Sequence, residues 1–457
     1  MATLRRRVRE EGHLERLLRV GTCLAMCGYG AQVGQLAGTA RAFRADAQLW
    51  GAHARHRGPK GRTALMRAAD TDDVPRVLFL LERGADVEAV DAGCGETALL
   101  LASVGGHCEA ARLLVERGGA NVNAARINGC TALMIASERG HIEIVRILVE
   151  RGANLNAALT ISGDTALMWA SAEGHLEIVR FLVERGGVNV NATKSTNGCT
   201  ALIGASEFGH IEVVRILTER GAALVNSAMT TDGATALQLA SMNGHLEIVR
   251  FLVERGGANV NAARTTDGFT ALMWASFKDH GEIARILVER GGANLNAART
   301  TDGQTALIFA SNKGHLEIVR FLVQRWGTNV NAAMTTDGAT ALMAASQEGH
   351  LEIVRVLVER GAANVNAAST TDGLTSLMSA SHNGDLEVVR LLLLRGAQVN
   401  AVKFSGKTPL MLASENGRVA VVRLLLQHGA HAHLVDNAGR SARDLAARHP
   451  MVLAALA

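Results

Sequence analysis

Apolar and polar positions alternate along most of this chain in a repeating pair of helical patterns. Residues 131–152 show the pattern. Ala132 to about Glu138 forms a short apolar run that Gly140 ends. Ile142, Val145, Leu148 and Val149 then recur at three- and four-residue steps, so they share one face of a second helix, His141 through Val149. Glu143 in its first turn and Arg151 near its end suit the helix dipole, and Gly152 closes it. Thr131 has the hydroxyl that accepts from the open backbone donors of a first turn. The phrase Thr-Ala-Leu-Met, or a close variant, starts at Thr63, Thr97, Thr131, Thr165, Thr200, Thr235, Thr270, Thr305, Thr340, Thr375 and Thr408, with a decayed copy at Ser441. Thr-Thr-Asp-Gly at 230–233, 265–268, 300–303, 335–338 and 370–373 adds a tight-turn signal suited to a two-residue hairpin. Each unit therefore reads hairpin, helix, turn, helix, loop. One unit cannot bury its helical face alone, so the units must stack.

At these residues the chain resembles the ankyrin-repeat proteins. Gly233-Ala234-Thr235-Ala236-Leu237, Ala240-Ser241-x-x-Gly244-His245-Leu246-Glu247-Ile248-Val249 and Asn259-Val260-Asn261-Ala262 carry the match, which extends over about residues 61–448. Two departures are regular. Ala follows the Thr where the family has Pro, except at Pro409. Met mostly stands three residues after the Thr where the family has His, as in Met134, Met168, Met273, Met343, Met378 and Met411. Extra residues over the family's 33-residue period, such as the doubled Gly256-Gly257, fall in loops, where insertion costs little. The resemblance implies an all-α ankyrin-repeat solenoid of about 11–12 helix-turn-helix units with short β-hairpin tips. The expected organisation is a helical N-terminal segment at 1–60, the array at 61–440 and C-terminal capping helices at 441–457.

Composition narrows the function. Aromatics make up only 3% of the chain, so Ala, Leu, Ile, Val and Met must fill the interior. Residues 1–62 hold 12 Lys and Arg against 4 Asp and Glu, and the remainder is weakly acidic. That is a poor footprint for nucleic acid. Six cysteines without a CxxC pair read as reduced thiols, which places the protein in the cytoplasm or nucleus. Val20 to Ala40 is uncharged and long enough to span a bilayer, but five glycines, Gln32 and Gln35 make it weakly apolar, so no membrane role is expected.

Several residues imitate catalytic or ligand sites. His107, His141, His175, His210, His245, His280, His315 and His350 all fall ten residues after the repeat Thr. None belongs to a His-Glu-x-x-His pair. Stacked helices stand about 8–10 Å apart, so neighbouring histidines are too far apart to share an ion. They read as hydrogen-bonding groups at helix starts. Gly406-Lys407-Thr408 imitates a phosphate loop, but it lacks the earlier Gly and sits where the repeat demands Gly-x-Thr. No catalytic, cofactor or metal residues are assigned, and enzymatic activity is not expected.

Where architecture repeats, recognition is carried by positions that vary. These are the residue between Gly and Thr at the hairpin and the two residues before the Gly that ends helix one. The resemblance implies that they line the concave groove. Phe208, Met242, Phe269 and Phe277 fall there in consecutive units and form the expected partner-binding patch. Trp169, Trp274 and Phe309 follow the repeat Met and read as packing between helices, with recognition the alternative, and Trp326, in place of a loop Gly, has no assigned role. Residues 33–50 resemble the second half of an F-box, with apolar helical spacing, an aromatic among arginines and a Leu-Trp finish, but without the usual Leu-Pro opening. That resemblance implies adaptor contacts by Leu36, Phe43, Leu49 and Trp50. The leading expectation is a monomeric, non-enzymatic scaffold that binds a partner protein in its groove. The alternative is a substrate receptor of a cullin-type ubiquitin ligase.

Overall fold

The structure, a computed structural model, describes residues 61–457. Val20–Ala40 and the F-box-like residues Leu36, Phe43, Leu49 and Trp50 lie outside the described residues. Those described divide into two units, residues 61–201 with 219–222 and residues 202–218 with 223–457. Each is a stack of antiparallel helix pairs. The described residues hold 24 helices in 12 pairs, from Ala64–Asp70 and Val74–Glu82 to the shorter Ala442–Leu445 and Pro450–Ala455. The only β-pairing among them is a set of isolated bridges at the hairpins, such as Ala263↔Thr270. The fold is the all-α repeat array that the spacing predicts.

The first helix of each pair starts where a hydroxyl accepts from the backbone three residues on. Thr131 Oγ1 receives the Met134 N–H at 3.3 Å, and Ser441 does the same for Asp444. This helix is short and buried almost all round: Ala132, Leu133, Met134, Ile135, Ala136 and Ser137 are all inside in Ala132–Arg139. The second helix, Ile142–Glu150, buries Ile144 and Ile147 along with Val145, Leu148 and Val149, while Ile142 is only half-buried. Its apolar stripe is wider than the one-face pattern suggests, because it packs on its own partner helix and on the next second helix.

The histidines do not cap their own helices. Each instead reaches back to the preceding pair. The Nε2 atoms of His107, His175, His245, His280, His315 and His350 lie 2.9–3.3 Å from the carbonyls of Asp70, Glu138, Glu207, Met242, Phe277 and Asn312. The rings of His175, His245, His280 and His350 rest on the glycine that ends the first helix of that pair, while left-handed Asp72 and Asp279 stand under His107 and His315. Gly244 has φ +82°, and a Cβ there would stand 2.8 Å from the His280 ring. Glycine is thus required twice over, by the left-handed backbone and by the ring above it.

Asparagines stitch the opposite end of each pair. Asn261 Oδ1 accepts the Asn294 N–H at 2.7 Å, and its Nδ2 donates to the Gly292 carbonyl at 3.4 Å. Asn294 Oδ1 then accepts from Asn296 N, and Asn296 repeats both inter-unit contacts with Asn329 and Gly327. The hairpins join in register too, Thr300 N donating to Asp267 O at 2.8 Å. Their loops span four residues rather than the two expected. Met229 N donates to Ala234 O and Gly233 N to Met229 O, with Thr230–Gly233 between, and Asp232 Oδ1 holds the Ala234 N–H.

Along the second helices a longer period runs. Phe181, Phe251 and Phe321 are seventy residues apart, with Ile147, Ile216 and Ile286 at the same position in the intervening units. The Arg of the Ile-bearing helix lies over the next ring: Arg215 over Phe251 at 5.3 Å and Arg285 over Phe321 at 5.0 Å. Large and small residues thus alternate within the same stack.

Two outcomes test this account. Gly244→Ala should cost roughly 2 kcal/mol or more, since left-handed strain of about 1–2 kcal/mol adds to the clash with His280. Gly257→Ala, at φ +67° with nothing within 4 Å, should cost only about 1 kcal/mol. Urea midpoints of the two variants give the comparison. Burial pulls the His141 imidazole below its ordinary pKa, against the hydrogen bond to the Val104 carbonyl, with Arg139, His175 and His107 adding to the lowering. The unfolded chain takes up this proton near about pH 6.5 and the folded chain resists it, so this contribution is present above that pH and lost below it. His141→Gln should therefore lose less stability than the wild type between about pH 7.5 and about pH 5.5, read as thermal midpoints; parallel curves would contradict the assignment.

Candidate partner-binding surface

The varying positions are held by the repeating ones. Met242 and Phe277 are among the residues whose carbonyls accept from His280 and His315. The histidine contact that joins the pairs therefore fixes the backbone of the residues that differ from unit to unit.

In residues 202–218 with 223–457 these positions hold an aromatic cluster. Phe269 enters from a hairpin whose Asp267 Oδ1 receives its N–H at 3.1 Å. Trp274 and Phe277 lie on the helix Ala271–Phe277 three residues apart, so they share a face. Phe309 takes the position of Trp274 one unit on, on Ala306–Lys313. Phe269 stands 4.3 Å from Trp274 and 5.0 Å from Phe309 between ring centroids. Phe277 meets Trp274 edge-on at 6.3 Å and Phe309 at 5.8 Å. These are favourable aromatic geometries.

Of the four residues assigned to the patch, three are open to solvent to differing degrees. Phe208, which ends the helix Ala201–Phe208, is 58% exposed, and Met242 and Phe277 are half-buried. Phe269 is only 5% exposed, beneath Trp274 and Phe309, and acts as the floor of the cluster. Trp274, for which the sequence favours packing over recognition, is half-buried and joins the surface; Phe309 at 5% is packing. The signal for Trp274 was its three-residue step to Phe277. Trp326 is fully exposed beyond the helix Leu316–Val323.

Charges frame the rings. The Arg264 guanidinium lies 5.8 Å from the Trp274 centroid and 2.6 Å from Asp232 Oδ2. Arg299 covers Phe309 at 5.3 Å and Phe269 at 5.7 Å and pairs with Asp302, whose carboxyl it holds below the usual range. Lys278 and Lys313 approach the Phe277 centroid to 5.6 and 5.2 Å. In this unit of the pattern the helix-ending Gly is replaced by Asp279, left-handed at φ 63°. The equivalent face of residues 61–201 is charged and self-paired. Glu96 lies between Arg62 at 2.9 Å and Arg126 at 2.6 Å, and buried Asp164 meets Lys194 at 2.7 Å.

The residues that imitate other sites have structural partners. Lys407 Nζ lies 2.6 and 2.8 Å from the Glu415 carboxylate, and Thr408 caps its helix. Among the described residues no group of three or more His, Cys, Asp and Glu is placed to hold a metal ion, and no helix is long and apolar enough to cross a membrane. Cys94, Cys108 and Cys130 are free thiols.

No curated protein matches the sequence. Among solved structures, the ankyrin repeat domain of Bcl-3, described as a unique member of the IkappaB protein family, is 32% identical, over 49% of this chain and 99% of that one, with a TM-score of 0.44. The family model described as ankyrin repeats (3 copies) matches residues 65–159, 156–228, 222–299, 292–369 and 363–436. Matched in overlapping segments from residue 65 to residue 436, this chain belongs to the ankyrin-repeat family.

Proposed function

We propose that the protein is a non-enzymatic scaffold that binds a partner protein along the face made by its hairpins and first helices, in the concave groove of the array. The carrying observation is the aromatic cluster around Phe269, with Trp274 and Phe277 half-buried at its surface, together with the exposed Phe208 at another varying position. Large apolar side chains left in contact with water at the irregular positions of a regular array have no folding role that the other units need. They suit the anchoring of a partner. A preformed surface loses little ordering entropy on association. On this reading the protein acts as a monomer in the cytoplasm or nucleus, where six cysteines without a CxxC pair stay reduced.

A second reading rests on the sequence alone. The F-box-like residues 33–50 support a substrate receptor of a cullin-type ubiquitin ligase, with the repeats choosing the substrate. A cullin adaptor should then copurify with the full chain and be lost with Leu49→Ala/Trp50→Ala; recovery of no adaptor with the wild type discards this reading.

For the scaffold, the double variant Phe208→Ser/Phe277→Ser should recover the wild type's main partner from lysate at about one tenth of its level or less, on the scale of an interface anchor. Its thermal midpoint should fall by only about a few degrees, because Phe208 is exposed and Phe277, though it packs on Trp274 and Phe309, is half-buried. Full recovery by a folded double variant would place binding elsewhere.

A further inference from the structure

The described residues contain five lysines. Lys194, Lys403 and Lys407 each have a carboxylate partner, Asp164, Asp372 and Glu415, at 2.6–2.9 Å. Lys278 and Lys313 have none: among the described residues no carboxylate lies within 4 Å of either ammonium. Both are exposed, in successive units, and both lie within 6 Å of the Phe277 ring centroid. The two uncompensated lysines of the array thus converge on the one aromatic ring that also reaches solvent beside Trp274. The arginines beneath them, Arg264 and Arg299, are occupied by Asp232 and Asp302.

This arrangement decides the sign of what fits. An aromatic cluster by itself suits a cationic ligand. Here four protein cations already lie against the rings, so another positive group would meet like charge. An anion would find two ammoniums that make no ion pair with the protein, and an apolar side chain beside it would cover Trp274 and Phe277. We infer that the surface around Phe277 takes an acidic segment of the partner protein, with an apolar side chain on Trp274 and Phe277 and a carboxylate between Lys278 and Lys313. This rests on the scaffold reading above and gives it a partner chemistry.

The test is selection of a displayed random twelve-residue peptide library on the full chain, with binding of the enriched peptides measured by fluorescence anisotropy. Enriched peptides should carry Asp or Glu next to Phe, Leu, Ile or Trp. Their affinity should fall as salt rises and drop about tenfold or more on Lys278→Glu/Lys313→Glu, on the scale of charge reversal at an interface. Lys278→Arg/Lys313→Arg should restore most of it. Circular dichroism melts check that the variants fold, as both positions are exposed. Enriched peptides that are neutral or basic, or acidic ones indifferent to the charge reversal, overturn the inference. If such peptides are lost with Phe208→Ser/Phe277→Ser, the scaffold reading stands without its acidic partner. If no peptide is enriched, or binding ignores every substitution on this face, the acidic-segment inference falls, and indifference to the Phe variants removes this face from the scaffold reading as well.

Discussion

The joints from His107 to His350 depend on the hydrogen bond from one unit's histidine to a carbonyl near the end of the preceding unit's first helix. A helix end leaves carbonyls that its own backbone does not satisfy. Here the next unit supplies the donor, and the glycine beneath most of the rings leaves room for it. The asparagines do the same for the loops at the far end, through both atoms of the side-chain amide. A single unit therefore carries unsatisfied polar groups at both ends of its helices as well as bare apolar faces. Stability comes from neighbours, and the polar groups that repeat most faithfully are those used between units.

Much of this was legible in the sequence. Thr caps, helix-ending glycines and the split between two helices per unit depend on residues a few positions apart, which a linear reading sees. The histidine partners were not legible, because the acceptor lies 37 or 38 residues back and periodicity alone says only that the residue is needed. The asparagine stitch is illegible for the same reason; its trace is the recurrence of Asn-x-Asn, as in Asn259-Val260-Asn261, which the sequence offers only as part of the repeat's signature. The length of the hairpin loops is not legible either, since Asp-Gly marks a turn without fixing its length.

The candidate surface divides along the same line. Phe208, Met242 and Phe277 stand at irregular positions, and the sequence singles them out. Which aromatic covers which is a matter of side-chain packing between adjacent units. Phe269 becomes a floor because Trp274 and Phe309 close over it from two successive helices. Trp274 keeps part of its indole in solvent because the hairpin side is already filled by Phe269. The surface is thus built from two buried rings, Phe269 and Phe309, and the half-covered Trp274 and Phe277, a stiffer platform than four separate exposed side chains would make.

The alternation of Phe251 and Phe321 with Ile216 and Ile286 on the second helices has a consequence for how such a chain lengthens or shortens. Cutting out one unit would set two rings, or two aliphatic side chains, at this position in adjacent units and break the succession in which an arginine of one unit covers the ring of the next. Cutting out two restores the match. Parity is thus written into the packing: the smallest piece that this part of the chain can gain or lose without injury is a doublet, although every shorter motif in it recurs singly.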